Sequence, residues 1–286
     1  MNGPDTKFDA LLPAEIAFRA EEIGVRKAGL DGGRTFVLAV LAGAFIALGA
    51  VFSTTVAAGT SAAPFGWSRA LSGVAFSLGL ILVIVGGAEL FTGNNLIIMA
   101  WANGKVTTLR LLRNWAIVYA GNLAGSVGTA ILVFWGGQYG LGNGAVGAAA
   151  LAIGTVKCEL GFSEAIALGV LCNGLVCLAV WLSYSGRTTA DKILAVVPPI
   201  AAFVTAGFEH SVANMYFLPV ALLIRKYAPD AFWANIGRGP EEFPALTVAN
   251  VVFSNLVPVT LGNIIGGVLL VGATYWFVYL RGSRVS

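Results

Sequence analysis

The chain has 286 residues, of which 57% are hydrophobic and 11% charged, and its formal net charge is +3. A soluble globular domain carries about 25% charged residues, so a water-facing surface of this size is excluded and a lipid bilayer is the solvent that fits. The weak net charge leaves no footprint for nucleic acid. The three cysteines, Cys158, Cys172 and Cys177, match no zinc or redox spacing and read as buried thiols. No cofactor and no metal site are expected.

Residues 1–34 are polar and mixed in charge, without the apolar stretch and cleavage site of a signal peptide. Within them Leu12, Ile16, Ala20 and Ile23 fall at helical spacing, and Pro13 suits a first helical turn. This predicts an amphipathic helix lying at the membrane surface. A spanning helix needs about 20 apolar residues. Clean candidates follow at 35–58, 115–136 and 162–183, and a longer one at 247–280. Two more are interrupted. Residues 69–90 are apolar, then Phe91-Thr92-Gly93-Asn94-Asn95 intervenes before Leu96–Ala102; residues 193–208 are apolar, then Glu209-His210-Ser211 intervenes before Val212–Ile224. The expected architecture is therefore all-α, with six spans of which the second and fifth are broken. An N-terminal segment 1–34, a pore domain 35–281 and a tail 282–286 divide the chain.

Lys and Arg set the orientation. One side of the predicted topology holds twelve, including Lys7, Arg19, Arg26, Lys27 and Arg34; the other holds five, Arg69, Lys157, Arg225, Lys226 and Arg238. Both termini are expected in the cytoplasm, and the protein in the plasma (inner) membrane.

Two patterns recur in the same order. G-x-E-x4-N occurs at Gly87, Glu89 and Asn94 and again at Gly207, Glu209 and Asn214. N-x6-G-N-x2-G occurs at Asn114, Gly121, Asn122 and Gly125 and again at Asn255, Gly262, Asn263 and Gly266. The gap between the patterns is 21 residues longer in the second half, and the surplus falls in the polar loop 225–246. Each half holds three spans, so the second half should run opposite to the first, an inverted repeat. A break in hydrocarbon persists only where protein or a polar cavity satisfies the freed backbone, and paired breaks near mid-membrane point to a permeation site.

The break residues carry the chemistry. His210 is the only histidine of the chain, sits inside an apolar helix and titrates near physiological pH. It can attract an anion as imidazolium or lend it a proton. Glu209 is read either as the acceptor that orients the imidazole or as a partner for backbone at the break, with Glu89 as its repeat mate. Thr92 and Asn94 offer a hydroxyl and an amide, which bind a carboxylate without fixed charge, and the same groups also cap helix ends. Lys157 stands before span 4 as an anchor or as an anion attractor.

These residues resemble the formate/nitrite transporter family, its formate channels above all. The resemblance is carried by FDALLPAE at the start, AELFTG at 88–93, Arg113-Asn114-Trp115, GNLAG at 121–125, LCNGLVCLAVWLSYSGR at 171–187, GFEHSVANM at 207–215, Val257-Pro258-Val259-Thr260, GNIIGG at 262–267 and TYW at 274–276. It implies an aquaporin-like protomer, a homopentamer with one pore per protomer, and formate or a similar small monovalent anion as the solute. It further implies that Thr92 and His210 form a polar gate pair, with Asn173 as a pore-lining partner. Lys157 would draw anions into the vestibule, and Phe76, Leu80, Leu90, Phe91, Val176 and Phe203 would form two hydrophobic constrictions. Gly93-Asn94 stands where a formate channel is expected to carry smaller hydroxyl residues, and the histidines that some relatives carry after Lys157 are absent. Nitrite and hydrosulfide remain alternative solutes. A water or glycerol channel would want Asn-Pro-Ala breaks, whereas Asn94 and Asn214 are followed by Asn95 and Met215. A serine protease would want G-x-S-x-G, which does not occur.

Overall fold

The computed structural model describes residues 9–60 and 63–282, which are almost entirely helical. Six helices are long and apolar enough to cross a bilayer: α2 (Gly32–Gly59), α3 (Phe65–Gly86), α5 (Thr108–Trp135), α7 (Phe162–Ser185), α8 (Thr189–Ala206) and α11 (Asn250–Leu280). Between and around them lie α1 (Pro13–Gly29), α4 (Ile98–Ala102), α6 (Ala145–Cys158), α9 (Ser211–Tyr227) and α10 (Asp230–Ile236). Their starts are capped as the sequence allows. Pro13 opens α1; Asp31 and Thr107 accept the Arg34 and Arg110 backbone N–H groups at the starts of α2 and α5; Thr188 and Asp191 cap each other's backbone at the start of α8. α11 is π-helical at both ends around an α-helical centre, Val257–Ile265.

The protein is a multi-pass membrane protein. α2 packs on α3 and α5, α7 packs on α8 and α11, and α3 meets α8 between the two groups. Outward faces are greasy: Leu41, Leu132, Phe253 and Leu269 are all exposed. No water-soluble fold would leave them so, whereas lipid solvates them at no cost.

Three expectations change. The first break opens earlier than the Phe91–Asn95 stretch, because α3 ends at Gly86 and Gly87 takes the left-handed φ of 78° that closes it. Ala88, Glu89 and Leu90 are in no regular secondary structure, and a short 3-10 turn at Gly93–Ile97 follows. Helix α6 was not expected, since its 14 residues are too few to span a bilayer. The predicted surface helix α1 instead packs Ile16, Ala17, Ala20 and Gly24 against residues 93–102, with Leu12 left exposed.

α1 and α6 occupy equivalent places. Each precedes the first span of its half, and each packs against the short helix that follows a break, α4 in one half and α9 in the other. The repeated glycines serve the interior of the protomer. Gly121 and Gly125 of α5 press on the α2 backbone, and Gly262 and Gly266 of α11 press on the α7 backbone. Their neighbours Ala124 and Ile265 face outward.

A Cβ at Gly266 would collide with the Val170 carbonyl oxygen, whereas one at Gly128 would meet nothing within 4 Å. Gly266→Ala should therefore lose about 1–3 kcal/mol by forcing α11 from α7. Gly128→Ala should lose nothing, and gains helix propensity. Thermal unfolding in detergent measures both; equal melting temperatures for the two variants would refute the close-packing account.

Candidate permeation site

The site is built where α3 and α8 stop. Each ends on a glycine with φ 78°, Gly87 and Gly207, a backbone that a residue with a Cβ adopts only with strain. Beyond each glycine the chain leaves the helix for three residues, and its backbone groups need partners that hydrocarbon cannot offer. Two asparagines provide them. Asn122 of α5 accepts the Phe91 N–H at 2.9 Å and donates to the Glu89 carbonyl at 2.9 Å and the Ala39 carbonyl at 2.8 Å. Asn263 of α11 accepts the Ser211 N–H at 2.9 Å and donates to the Glu209 carbonyl at 2.9 Å and the Gly169 carbonyl at 2.8 Å. The Glu89 and Glu209 N–H groups donate to the carbonyls of Leu38 and Leu168, completing the correspondence.

The glutamates hold a second matched cluster. Glu209 takes Lys157 Nζ at 2.7 Å on one oxygen, and the amides of Asn214 at 2.7 Å and Asn255 at 3.1 Å on the other. Glu89 takes Lys27 Nζ at 2.9 Å on one oxygen and the Asn94 amide at 2.7 Å on the other, while Asn94 also donates to Asn114. Asn114 and Asn255 return bonds to the carbonyls of Lys27 and Lys157. Asn94 and Asn214 thus tie each break to its glutamate, and each also lines one of the two cavities that approach the breaks. Glu209 is a partner of lysine and amides; among the described residues no hydrogen bond joins its carboxylate to the imidazole. Lys157 sits in the last turn of α6, largely covered, with its ammonium 5.6 Å from the Phe217 ring centre.

Lys27 was legible only as a topological charge, yet it is the counterpart of Lys157. A signal existed: Lys27, Leu38 and Ala39 precede Lys157, Leu168 and Gly169 by the same 130 residues. Both lysines lie outside the two repeated motifs, which begin at Gly87 and Gly207.

Two cavities approach the breaks along opposite ends of α3. One of 390 Å³ is lined by Arg69, Ser72 and Phe76 of α3, with Lys157, Phe203 and His210. The other, of 300 Å³, is lined by Leu80 and Val83 of α3, with Arg26, Lys27, Leu90 and Lys192. Phe76, Leu80, Leu90 and Phe203 are buried in the lining of these cavities, and the Phe76 and Phe203 rings meet edge to face at 5.6 Å. Val176 and Phe91 are buried but line neither cavity; Phe91 stacks edge-on against Tyr119 at 5.0 Å and Trp115 at 6.3 Å.

Between the cavities Thr92 Oγ1 and His210 Nε2 lie 2.9 Å apart, both buried. His210 is also the N-cap of α9, and its Nδ1 accepts the Ala213 N–H at 3.2 Å. The neutral ring therefore carries its proton on Nε2 and donates it to Thr92. The Thr92 hydroxyl proton stays available to a solute. Protonating Nδ1 would require giving up the helix cap. Asn173 of α7 holds the Thr92 carbonyl at 3.3 Å, together with Asn95 Oδ1 at 2.7 Å and the Asn263 carbonyl at 2.6 Å. It binds the first break to α11 and lines neither cavity.

A six-span bundle whose two interrupted helices meet between opposed cavities defines a membrane transport protein. The formate/nitrite transporter family model matches residues 14–277. The formate channel FocA of Escherichia coli (strain K12) is 49% identical over 277 residues, covering 97% of each chain. FocA of Haemophilus influenzae is 40% identical over 263 residues, covering 92% of this chain and 93% of that one. Among solved structures, a pentameric formate channel with formate bound superposes with a TM-score of 0.83 at 44% identity, covering 87% of this chain and 98% of its own. This chain belongs to the formate/nitrite transporter family.

The Lys157–Glu209 pair predicts a non-additive cycle. Lys157→Met leaves a buried carboxylate without its cation and should destabilise the protein by about 3 kcal/mol. Adding Glu209→Gln removes that charge and should recover a large part of the loss. Unfolding in detergent measures the cycle; strictly additive losses would show that the pair is not coupled.

Proposed function

We propose that this protein conducts formate, and small monovalent anions like it, through a pore in each protomer of a homopentamer in the plasma (inner) membrane, with both termini cytoplasmic. The observation that carries the reading is the Thr92–His210 contact at 2.9 Å between two cavities. Family membership, and relatives named as formate channels, support the solute and the pentamer. The excess of Lys and Arg on the side of both termini supports the orientation.

An unpaired anion is costly to desolvate between Phe76, Leu80, Leu90 and Phe203. Lys27 and Lys157, each paired with a glutamate, raise anion concentration at the two mouths without binding tightly. Phe91 and Val176 back the apolar wall. Between the cavities Thr92 and His210 offer donors that carry no fixed charge, so the solute is held weakly enough to leave. Asn173, Asn94 and Asn214 keep the two breaks in register with that contact.

A substrate panel in proteoliposomes tests the function: formate, nitrite, hydrosulfide, acetate and glycerol, with internal pH recorded. Formate should pass faster than acetate, and glycerol should not pass. Glycerol flux above formate flux would overturn the reading. His210→Asn should keep the pentamer and the cap of α9, because asparagine caps a helix well, but should lower formate flux several-fold, because its shorter amide no longer reaches the Thr92 hydroxyl. Wild-type formate flux in this variant would reduce His210 to a cap.

A further inference from the structure

We infer that α3 carries an anion-holding station ahead of the constriction on the Lys157 side, made by the guanidinium of Arg69 and the hydroxyl of Ser72, and that it takes a small carboxylate or another monovalent anion of that size. The inference rests on the transport reading above and adds two residues to it.

Arg69, Ser72 and Phe76 are three and four residues apart, on one face of α3, and all line the 390 Å³ cavity that Lys157 also lines. At about 30 Å³ per water the cavity holds roughly a dozen waters, ample room for a hydrated carboxylate. Arg69 donates from Nη2 to the Val204 carbonyl at 2.7 Å and from Nε to the Thr205 carbonyl at 3.3 Å. Both carbonyls belong to the last turn of α8, where the Gly207 N–H also reaches the Val204 carbonyl at 3.1 Å. Two of the five guanidinium N–H groups are thereby used, and the side chain is pinned at the cavity with the rest of its fork to spare.

Ser72 is 6% exposed and its Oγ has no hydrogen-bond partner. A helical serine commonly returns its hydroxyl to the preceding turn, as Ser77 does to the Gly73 carbonyl at 3.1 Å. Ser72 does not, and a buried orphan hydroxyl calls for an occupant that the protein itself does not supply. A second orphan lines the same cavity. Asn214 Oδ1 is unpartnered, whereas its repeat mate Asn94 Oδ1 accepts Lys27 Nζ at 2.9 Å. On this side the ammonium goes to Glu209 and the Phe217 ring instead, which leaves the amide oxygen for a bridging water.

Charge agrees. The ionised groups of the cavity lining are Arg69, Lys157 and Glu209. Lys157 and Glu209 partly offset each other at 2.7 Å, and Arg69 is the ionised group of this lining that faces no opposite charge. A guanidinium with free N–H groups, an unpaired hydroxyl and a partly offset ammonium form a donor set for one carboxylate.

The experiment pairs 13C-formate NMR line broadening on the solubilised pentamer with the concentration dependence of formate flux in proteoliposomes. Ser72→Ala should weaken binding and raise half-saturating formate about fivefold, the worth of one hydrogen bond, and Ser72→Thr should restore both. Its melting temperature without formate should not fall, because no protein bond is lost. Arg69→Gln should weaken binding at least as much, with an effect that shrinks at high salt, and Arg69→Lys should lie between. Wild-type binding by Ser72→Ala, or failure of Ser72→Thr to restore it, would overturn the station. If wild type binds formate in this pattern but passes none in the panel, the transport reading fails and the station stands.

Discussion

Everything at the centre of this protein depends on satisfying backbone that two broken helices release into the bilayer. A free N–H or C=O in hydrocarbon costs several kcal/mol, and each break exposes several such groups. Asn122 and Asn263 answer with one side chain each, every one accepting from an N–H on the break and donating to two carbonyls. A serine or threonine could not do this, having a single proton to donate. The asparagines also dictate helix spacing. They sit one residue after Gly121 and Gly262, where bare backbone allows α5 to touch α2 and α11 to touch α7. The amide reaches the neighbouring carbonyls of Ala39 and Gly169 only because the glycines bring the helices that close.

From this follows the arrangement of charge. Once a break is fixed, its glutamate is held inside the protein, and a carboxylate there needs both a cation and hydrogen-bond donors. Lys27 and Lys157 bring the cation, each from a short helix placed before the first span of its half. Asn94, Asn214 and Asn255 bring the donors. The lysines are thus structural and electrostatic at once. Their pairing keeps them from trapping an anion, while their position at the cavities biases what enters.

Much of this was legible in the sequence because the constraint acts on residue types that are rare in apolar runs. Glu89, Glu209, Asn122, Asn263 and His210 each stand out against hydrophobic neighbours, and their spacing recurs. Six spans followed from hydropathy alone. What was hidden has physical reasons. Ala88 and Leu90 are apolar, so the first break reads as helix until Gly87 is seen to take a left-handed turn. α6 is short enough to pass for a loop, and with it went the equivalence to α1 that makes Lys27 the counterpart of Lys157. The orphan hydroxyl of Ser72 is invisible in sequence, since most helical serines satisfy themselves. The separation of Phe91 from the cavities depends on which way a ring points from the turn after the break, and no periodicity governs that.

The two breaks share a frame but not a chemistry, and this difference is what a pore requires. By the matched bonds of Asn122 and Asn263, Phe91 stands where Ser211 does; one residue earlier Leu90 stands where His210 does, and one later Thr92 where Val212 does. Over these three steps the first break offers Thr92, and the second offers His210 and Ser211. Had both carried histidine, two imidazoles would meet, and protonation of one would oppose that of the other. Had both carried leucine and valine, an anion would find no donor between the cavities. With Thr92 from one half against His210 from the other, the imidazole is held neutral by the cap at Nδ1 and gives its remaining proton to the hydroxyl. That hydroxyl, polarised from behind, keeps its own proton for the solute. The repeat thus supplies the rigid frame twice, and the departures from it at Thr92 and His210 place one acceptor-fed donor at the meeting point.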